Sequence, residues 1–256
     1  MATTRMSVDG KVRIVTTSWD DGDIRDLRIA ELLHARSMRG TFYVPIEPFN
    51  GNPSLSKTDM RALITEGFEI GAHGIAHEIM SEVPVGKLDY IVGTCKAIHE
   101  DNLGQRIRMF CYPRGRYTGL VVQALKRAGY EGARTVRLLA TDTRYSPFDL
   151  PTTTQVYPHT RVEYLRNIAK ARKLGRLHDY VTRLGLGDDW VEIGKKLFDR
   201  VLHEGGIWHL WGHSWEIDQL GLWDEFAQML DYVCRRQDVL YVNNSDLPQY
   251  VTRRPN

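Results

Sequence analysis

Residues Val12 to Thr17 (VRIVTT) form a β-branched run that ends in Ser18-Trp19-Asp20-Asp21-Gly22. An amphipathic stretch follows, Ile24 to Arg36, with apolar residues at helical spacing. The run reads as a strand buried on both faces, which calls for helices on both sides of a parallel sheet. The pattern then repeats. Gly40 opens a short strand to Val44, Pro45 and Pro48 break it, and Ser56 reads as the N-cap of a helix over 57–66 that Gly67 closes. Strands are expected at 68–72, 107–112, 132–136, 207–211 and 239–243. Helices are expected from Pro84 to about Asn102 and over 118–128, 189–203 and 218–236. Such alternation argues for a parallel sheet or barrel with helices outside.

One stretch resists this reading. Between Leu138 and Asp189, the Thr- and Pro-rich part reads as loop or short strands. The part from Arg161 to Gly187 reads as basic and helical, broken at Gly175 and Gly185. The whole chain, 1–256, is expected to be one catalytic domain with a helical insertion near 155–187. A net charge of +2 gives no electrostatic case for a nucleic-acid partner or a membrane surface. No apolar run approaches the ~20 residues of a transmembrane helix. The first dozen residues lack the apolar core of a secretory signal. Three widely spaced cysteines, Cys95, Cys111 and Cys234, argue against a disulfide framework. These features together read as a cytoplasmic protein.

In an α/β sheet or barrel, the loops at the C-terminal ends of the strands gather on one face and carry the chemistry. Asp20, Asp21, His73, His77, Pro113, Arg114, His209 and His213 all fall at or near such ends. Adjacent carboxylates raise one another's pKa unless a cation intervenes. His73 and His77 stand four apart and can present two imidazoles to one ion if the segment turns helically. An Asp from a neighbouring strand end would complete a centre of two histidines and one carboxylate, typical of hydrolytic metal sites. Adjacent residues of the Ser18–Gly22 segment would then divide the work, one carboxylate binding metal and the other acting as base.

The order of motifs resembles the polysaccharide deacetylases, the NodB-homology family of metal-dependent carbohydrate N-deacetylases. SWDDG is similar to their T-F-D-D-G, and His73 to His77 to their H-[ST]-x-x-H, with Gly74 in the Ser/Thr position. Phe110 to Gly115 (FCYPRG) resembles F-R-P-P-Y-G, and His213 at the end of LWGH resembles the closing L-x-L-H. The resemblance implies Asp20 as catalytic base, Asp21, His73 and His77 as ligands of a divalent metal, and His213 as the acid that protonates the leaving amine. It implies the backbone N–H of Arg114 as oxyanion donor. The expected ion is zinc, with cobalt, nickel or iron as alternatives, and the expected fold class is α/β: an irregular or incomplete (β/α) barrel with parallel strands and outer helices.

Two departures stand out. Cys111 occupies the position of the arginine that pairs with the family's catalytic base, which leaves Arg114 or Arg116 to set the charge of Asp20. The family's Asp-x-x-Asp-Trp, which orients the acid histidine, has only Asp142 and Asp149 as candidates. His209 lies four residues before His213 and competes with it for the acid role, or else faces the substrate or fills the core. Trp19, Pro113 and Trp215 are the further candidates for contact with a sugar. The expected substrate is an N-acetylated sugar, with the missing signal favouring a nucleotide- or lipid-linked intermediate over an extracellular polymer. Three other readings compete: a metal-independent, allantoinase-like cyclic amide hydrolase, against which the intact Asp21, His73 and His77 argue, a non-catalytic sugar-binding module, and a non-haem iron oxygenase, with whose usual ligand order and all-β fold this chain disagrees.

Overall fold

The structure, a computed structural model, describes residues 9–171 and 174–251. The first eight residues, which belong to the stretch read above as lacking a signal, lie outside the described residues, as do Arg172 and Lys173 of the basic segment. Eight strands share one sheet: β1 Arg13–Asp20, β2 Thr41–Val44, β3 Glu69–Ala72, β4 Met109–Cys111, β5 Gly132–Arg134, β6 Thr154–Gln155, β7 Gly206–Gly212 and β8 Leu240–Tyr241. Seven run in the order β5-β4-β3-β2-β1-β7-β6, all pairings parallel, and curl into a half-barrel surrounded by helices. The expected incomplete (β/α) barrel is the fold observed.

β1 is the keel. β7 pairs with it along Arg13–Trp19, and β2 pairs with Ser18–Asp20. β8 takes Ile14 and Val15 on the edge that β2 leaves free. Alternation then sorts its side chains. Thr16, Ser18 and Asp20 point to the barrel interior, where they meet Asn244, His209 and Arg134 respectively. Val15 and Trp19 point outward into the core under the helices, where Trp19 meets Phe226 edge-on at 5.1 Å.

The helices are α1 Asp26–His34, α2 Lys57–Thr65, α3 Val85–Leu103, α4 Gly119–Arg127, α5 Arg161–Ala171, α6 Leu174–Thr182, α7 Trp190–Glu204, α8 Ser214–Leu220 and α9 Trp223–Val233. Local chemistry sets many of their ends. Ser56 forms a reciprocal capping box with Asp59, and Thr118 and Asp189 cap α4 and α7. The single helix expected over 218–236 is two, because Gly221 adopts a left-handed φ of 68° and closes α8. The Thr- and Pro-rich stretch supplies β6, a two-residue strand on β7. No helix among the described residues is long and apolar enough to cross a membrane.

Candidate active site

Asp20 ends β1, Asp21 opens the turn after it, and both sit almost wholly inside the protein. The chain turns sharply at this point: Asp21 has φ 76° and Gly22 φ 60°. A Cβ on Gly22 would lie 2.6 Å from Val44 Cγ1, so only glycine fits this turn against β2. The left-handed bend at Asp21 swings its carboxylate away from that of Asp20. His73 follows β3, and His77, itself left-handed at φ 57°, returns toward it. Non-glycine residues held in this region are strained, and such strain concentrates where geometry matters for function.

Asp21 Oδ1 lies 3.6 Å from His73 Nε2 and 3.5 Å from His77 Nε2. All three donor atoms fall within 4.8 Å of one another. His73 Nδ1 donates to the Cys111 carbonyl at 2.9 Å, which turns Nε2 toward Asp21. Burial, with His73 adding to it, pushes the pKa of His77 down to about 4, so its imidazole is neutral and able to ligate. Asp21 Oδ1 is buried with no hydrogen-bond donor, an arrangement that costs roughly 1–3 kcal/mol or more unless a cation completes it. These donors fit a divalent ion. Tetrahedral zinc with bonds of about 2.0–2.1 Å has ligand–ligand edges of roughly 3.3 Å, close to the observed separations. Trp215 Nε1 donates to Asp21 Oδ2 at 2.9 Å and fixes the carboxylate from the other side.

The cation that faces Asp20 is Arg134, from β5. Cys111 and Arg134 are register partners on neighbouring parallel strands, so they stand side by side and point into the barrel together. Arg134 Nη2 donates to Asp20 Oδ1, and Cys111 Sγ lies 3.6 Å from Oδ2. The guanidinium is wholly buried between the faces of Tyr43 and Trp211, at 5.3 and 4.8 Å from their ring centres. Burial alone would raise the pKa of Asp20. Arg134, helped by His73 and His213, outweighs it and brings the value down to about 2. The expectation that Arg114 or Arg116 would do this is not met. Arg114 is exposed, and Arg116 pairs with Glu82 at 2.7 Å.

Glu216 takes the place expected for Asp142 or Asp149. It lies in the first turn of α8 and accepts from His213 Nδ1 at 2.5 Å. Burial works against a charged His213, but Glu216, Asp21 and Asp20 outweigh it and raise its pKa to about 9. Its Nε2 is 3.8 Å from Asp21 Oδ2. Gln155 Nε2 donates to Glu216 at 3.3 Å. Asp142 is engaged by Tyr145 and Arg144, and Asp149 by Tyr117 and Arg137.

Three of the candidate sugar contacts are displaced. Trp19 is fully buried on the helix side of β1, one residue out of phase with Asp20. His209 is buried in the barrel, its Nε2 2.8 Å from Ser18 Oγ, and burial, with Arg134 nearby, lowers its pKa to about 3. Pro113 is buried and opens the turn after β4, leaving no face for a ligand. Trp215 remains partly exposed, with its ring 5.3 Å from His213 and 6.4 Å from Phe49. Phe49, which lies 4.4 Å from the His77 ring, completes an aromatic rim that the sequence did not single out. Arg114 adopts a left-handed φ of 56°, and no carbonyl accepts its N–H among the described residues.

The sequence model of the polysaccharide deacetylase family matches residues 7–133. With the half-barrel fold and the strand-end site beside that match, the chain belongs to the polysaccharide deacetylase family. Solved structures agree on the fold. A Mycobacterium smegmatis protein assigned to the polysaccharide deacetylases superposes with a TM-score of 0.69 at 15% identity, covering 97% of this chain and 95% of its own. The Xyl-CE4 domain of a xylanase from the hindgut metagenome of Trinervitermes trinervoides gives 0.54 at 13% identity, over 93% and 90%. A CE4-family pseudoenzyme from Bacillus anthracis gives 0.55 at 14% identity, over 95% and 67%. A Streptococcus pyogenes deacetylase is covered over 62% of its length. No curated protein gives a significant match.

Proposed function

We propose that this chain is a metal-dependent hydrolase that removes the N-acetyl group from an acetylated sugar. The observation that carries the reading is the donor set of Asp21, His73 and His77, with one buried carboxylate oxygen left without a partner. Zinc is the ion we assign to it, on the preference of two imidazoles and a carboxylate for such a metal. When bound, the ion would acidify a water and polarise the acetyl carbonyl.

The remaining work falls to the chain's own groups. Asp20, kept ionised by Arg134, accepts the proton of the attacking water. The Arg114 N–H, free of any internal acceptor, donates to the oxygen that becomes negative in the tetrahedral transition state. His213, held as an imidazolium by Glu216, gives its proton to the departing amine. Phe49 and Trp215 offer the apolar faces of a sugar platform. All three cysteines are free, and we place the reaction in the reducing cytoplasm.

Metal content measured by mass spectrometry on the purified protein and on His77→Ala tests this reading. About one divalent ion per chain, lost in the variant, together with acetate release from N-acetyl sugars, is expected. Absence of metal in both proteins after reconstitution would refute the mechanism and favour the metal-independent amidase.

A further inference from the structure

Arg114 lines a cavity of about 610 Å³, and four of the nine residues around it are cationic. Arg114, Arg116, Arg137 and Lys170 face it from three separate segments. Two carboxylates oppose these four cations. Glu82 pairs with Arg116, and Asp149 with Arg137. Arg114 and Lys170 have no carboxylate partner among the described residues. The cavity therefore carries an excess of two positive charges.

Its walls are fixed. Gly115 (φ 65°) packs so closely on the next segment that a Cβ would sit 2.5 Å from Val136 Cγ2. Asn167 of α5 clamps that segment by accepting from the Leu138 N–H at 2.8 Å and donating to the Val136 carbonyl at 3.1 Å. Lys170 follows Asn167 by three residues on the same helix face. Arg137 is partly buried, with Arg176 behind it, and burial pulls its pKa down. A bound anion would relieve that cost.

Arg114 links the cavity to the reaction centre along the chain. Arg114 is three residues from Cys111, whose carbonyl holds His73, so at most about 11 Å of chain separates them. We propose that this cavity is a phosphate subsite and that the substrate is an N-acetyl sugar carrying a phosphoryl group beside the acetamide. Two excess charges match a phosphate dianion, whereas a sugar carboxylate would neutralise only one. Guanidinium forks and an ammonium are the groups that recognise phosphate. The sugar rests on the deacetylase reading, and the phosphate rests on the cavity alone.

Calorimetric binding separates the two. The probes are N-acetylglucosamine 1-phosphate, N-acetylglucosamine and inorganic phosphate, titrated into the native protein, Lys170→Glu, Arg116→Glu and His77→Ala. The sugar phosphate is expected to bind about tenfold or more tighter than the neutral sugar. Each charge reversal in the cavity should weaken it by about tenfold, while His77→Ala retains the preference, which excludes capture by a metal. Equal affinity for the two sugars, or an unchanged affinity in both charge-reversed variants, would overturn the subsite, and inorganic phosphate binding as tightly as the sugar phosphate would overturn the sugar phosphate as its ligand. Retained sugar-phosphate binding without acetate release would refute the deacetylase reading and leave the subsite standing. Acetate release without any phosphate preference would do the reverse.

Discussion

Replacing Arg134 with methionine strands the Asp20 carboxylate inside the barrel. Both side chains are buried, and their mutual contact is the charge balance of the interior. Removing one member of a buried ion pair costs about 3–5 kcal/mol, because the survivor keeps its desolvation penalty. The pH dependence supplies a second handle. The Asp20 pKa falls from its ordinary 3.8 to about 2. At about 1.4 kcal/mol per unit this is ~2 kcal/mol of stability. The contribution is fully present above the unfolded pKa and is lost as pH drops toward the folded value. In Arg134→Met the burial effect is left to dominate, the pKa rises above its ordinary value, and the sign reverses: this group then destabilises the fold above pH 4. Urea unfolding at several pH values between 3 and 7, with a chelator present throughout, measures both effects. The cycle with Asp20→Asn isolates the coupling, which should reach about 2 kcal/mol or more. A loss below about 1 kcal/mol in Arg134→Met, or additive single substitutions, would show that Arg134 does not hold Asp20.

Other outcomes follow from neighbouring contacts. Glu216→Gln removes the carboxylate that raises the His213 pKa to about 9. A catalytic acid is lost as pH rises through its pKa, so the alkaline limb of acetate release should move down by about one unit or more. An unmoved limb would exclude Glu216 from that role. Trp215→Phe deletes the hydrogen bond to Asp21 and should lower metal affinity about 10–100-fold in a chelator competition, with little change in fold stability. Trp19→Ala empties a core position and should cost about 3–5 kcal/mol in denaturant unfolding. The KM of the protein that remains folded should be unchanged, and a raised KM would return Trp19 to the sugar site.

The residues legible in the sequence are those whose neighbours along the chain announce them. Asp20 and Asp21 close a β-branched strand, His73 and His77 flank a short turn, and His213 follows an apolar run. Arg134 gave no such signal, because its partner lies 114 residues away and is brought to it only by the β4–β5 register. Glu216 was hidden differently. It reads as an ordinary acidic residue in a first helical turn, and its reach back to His213 depends on the strand-to-helix bend. Trp19 was misplaced for want of one step: alternation puts it opposite Asp20 on the strand, facing the helices. Strand β6 was legible only as one of the short strands of the Thr- and Pro-rich stretch, because two residues carry no periodicity.

The side-by-side placement of Cys111 and Arg134 bears on how such sites are recognised at all. A curled sheet makes its interior common property: any strand whose pleat turns inward at the right height can supply the guanidinium. Reading the third motif position by position would score Cys111 as a missing part. Scored by the charge delivered to the axis, the strand beside Cys111 supplies a guanidinium, Arg134, to the Asp20 carboxylate.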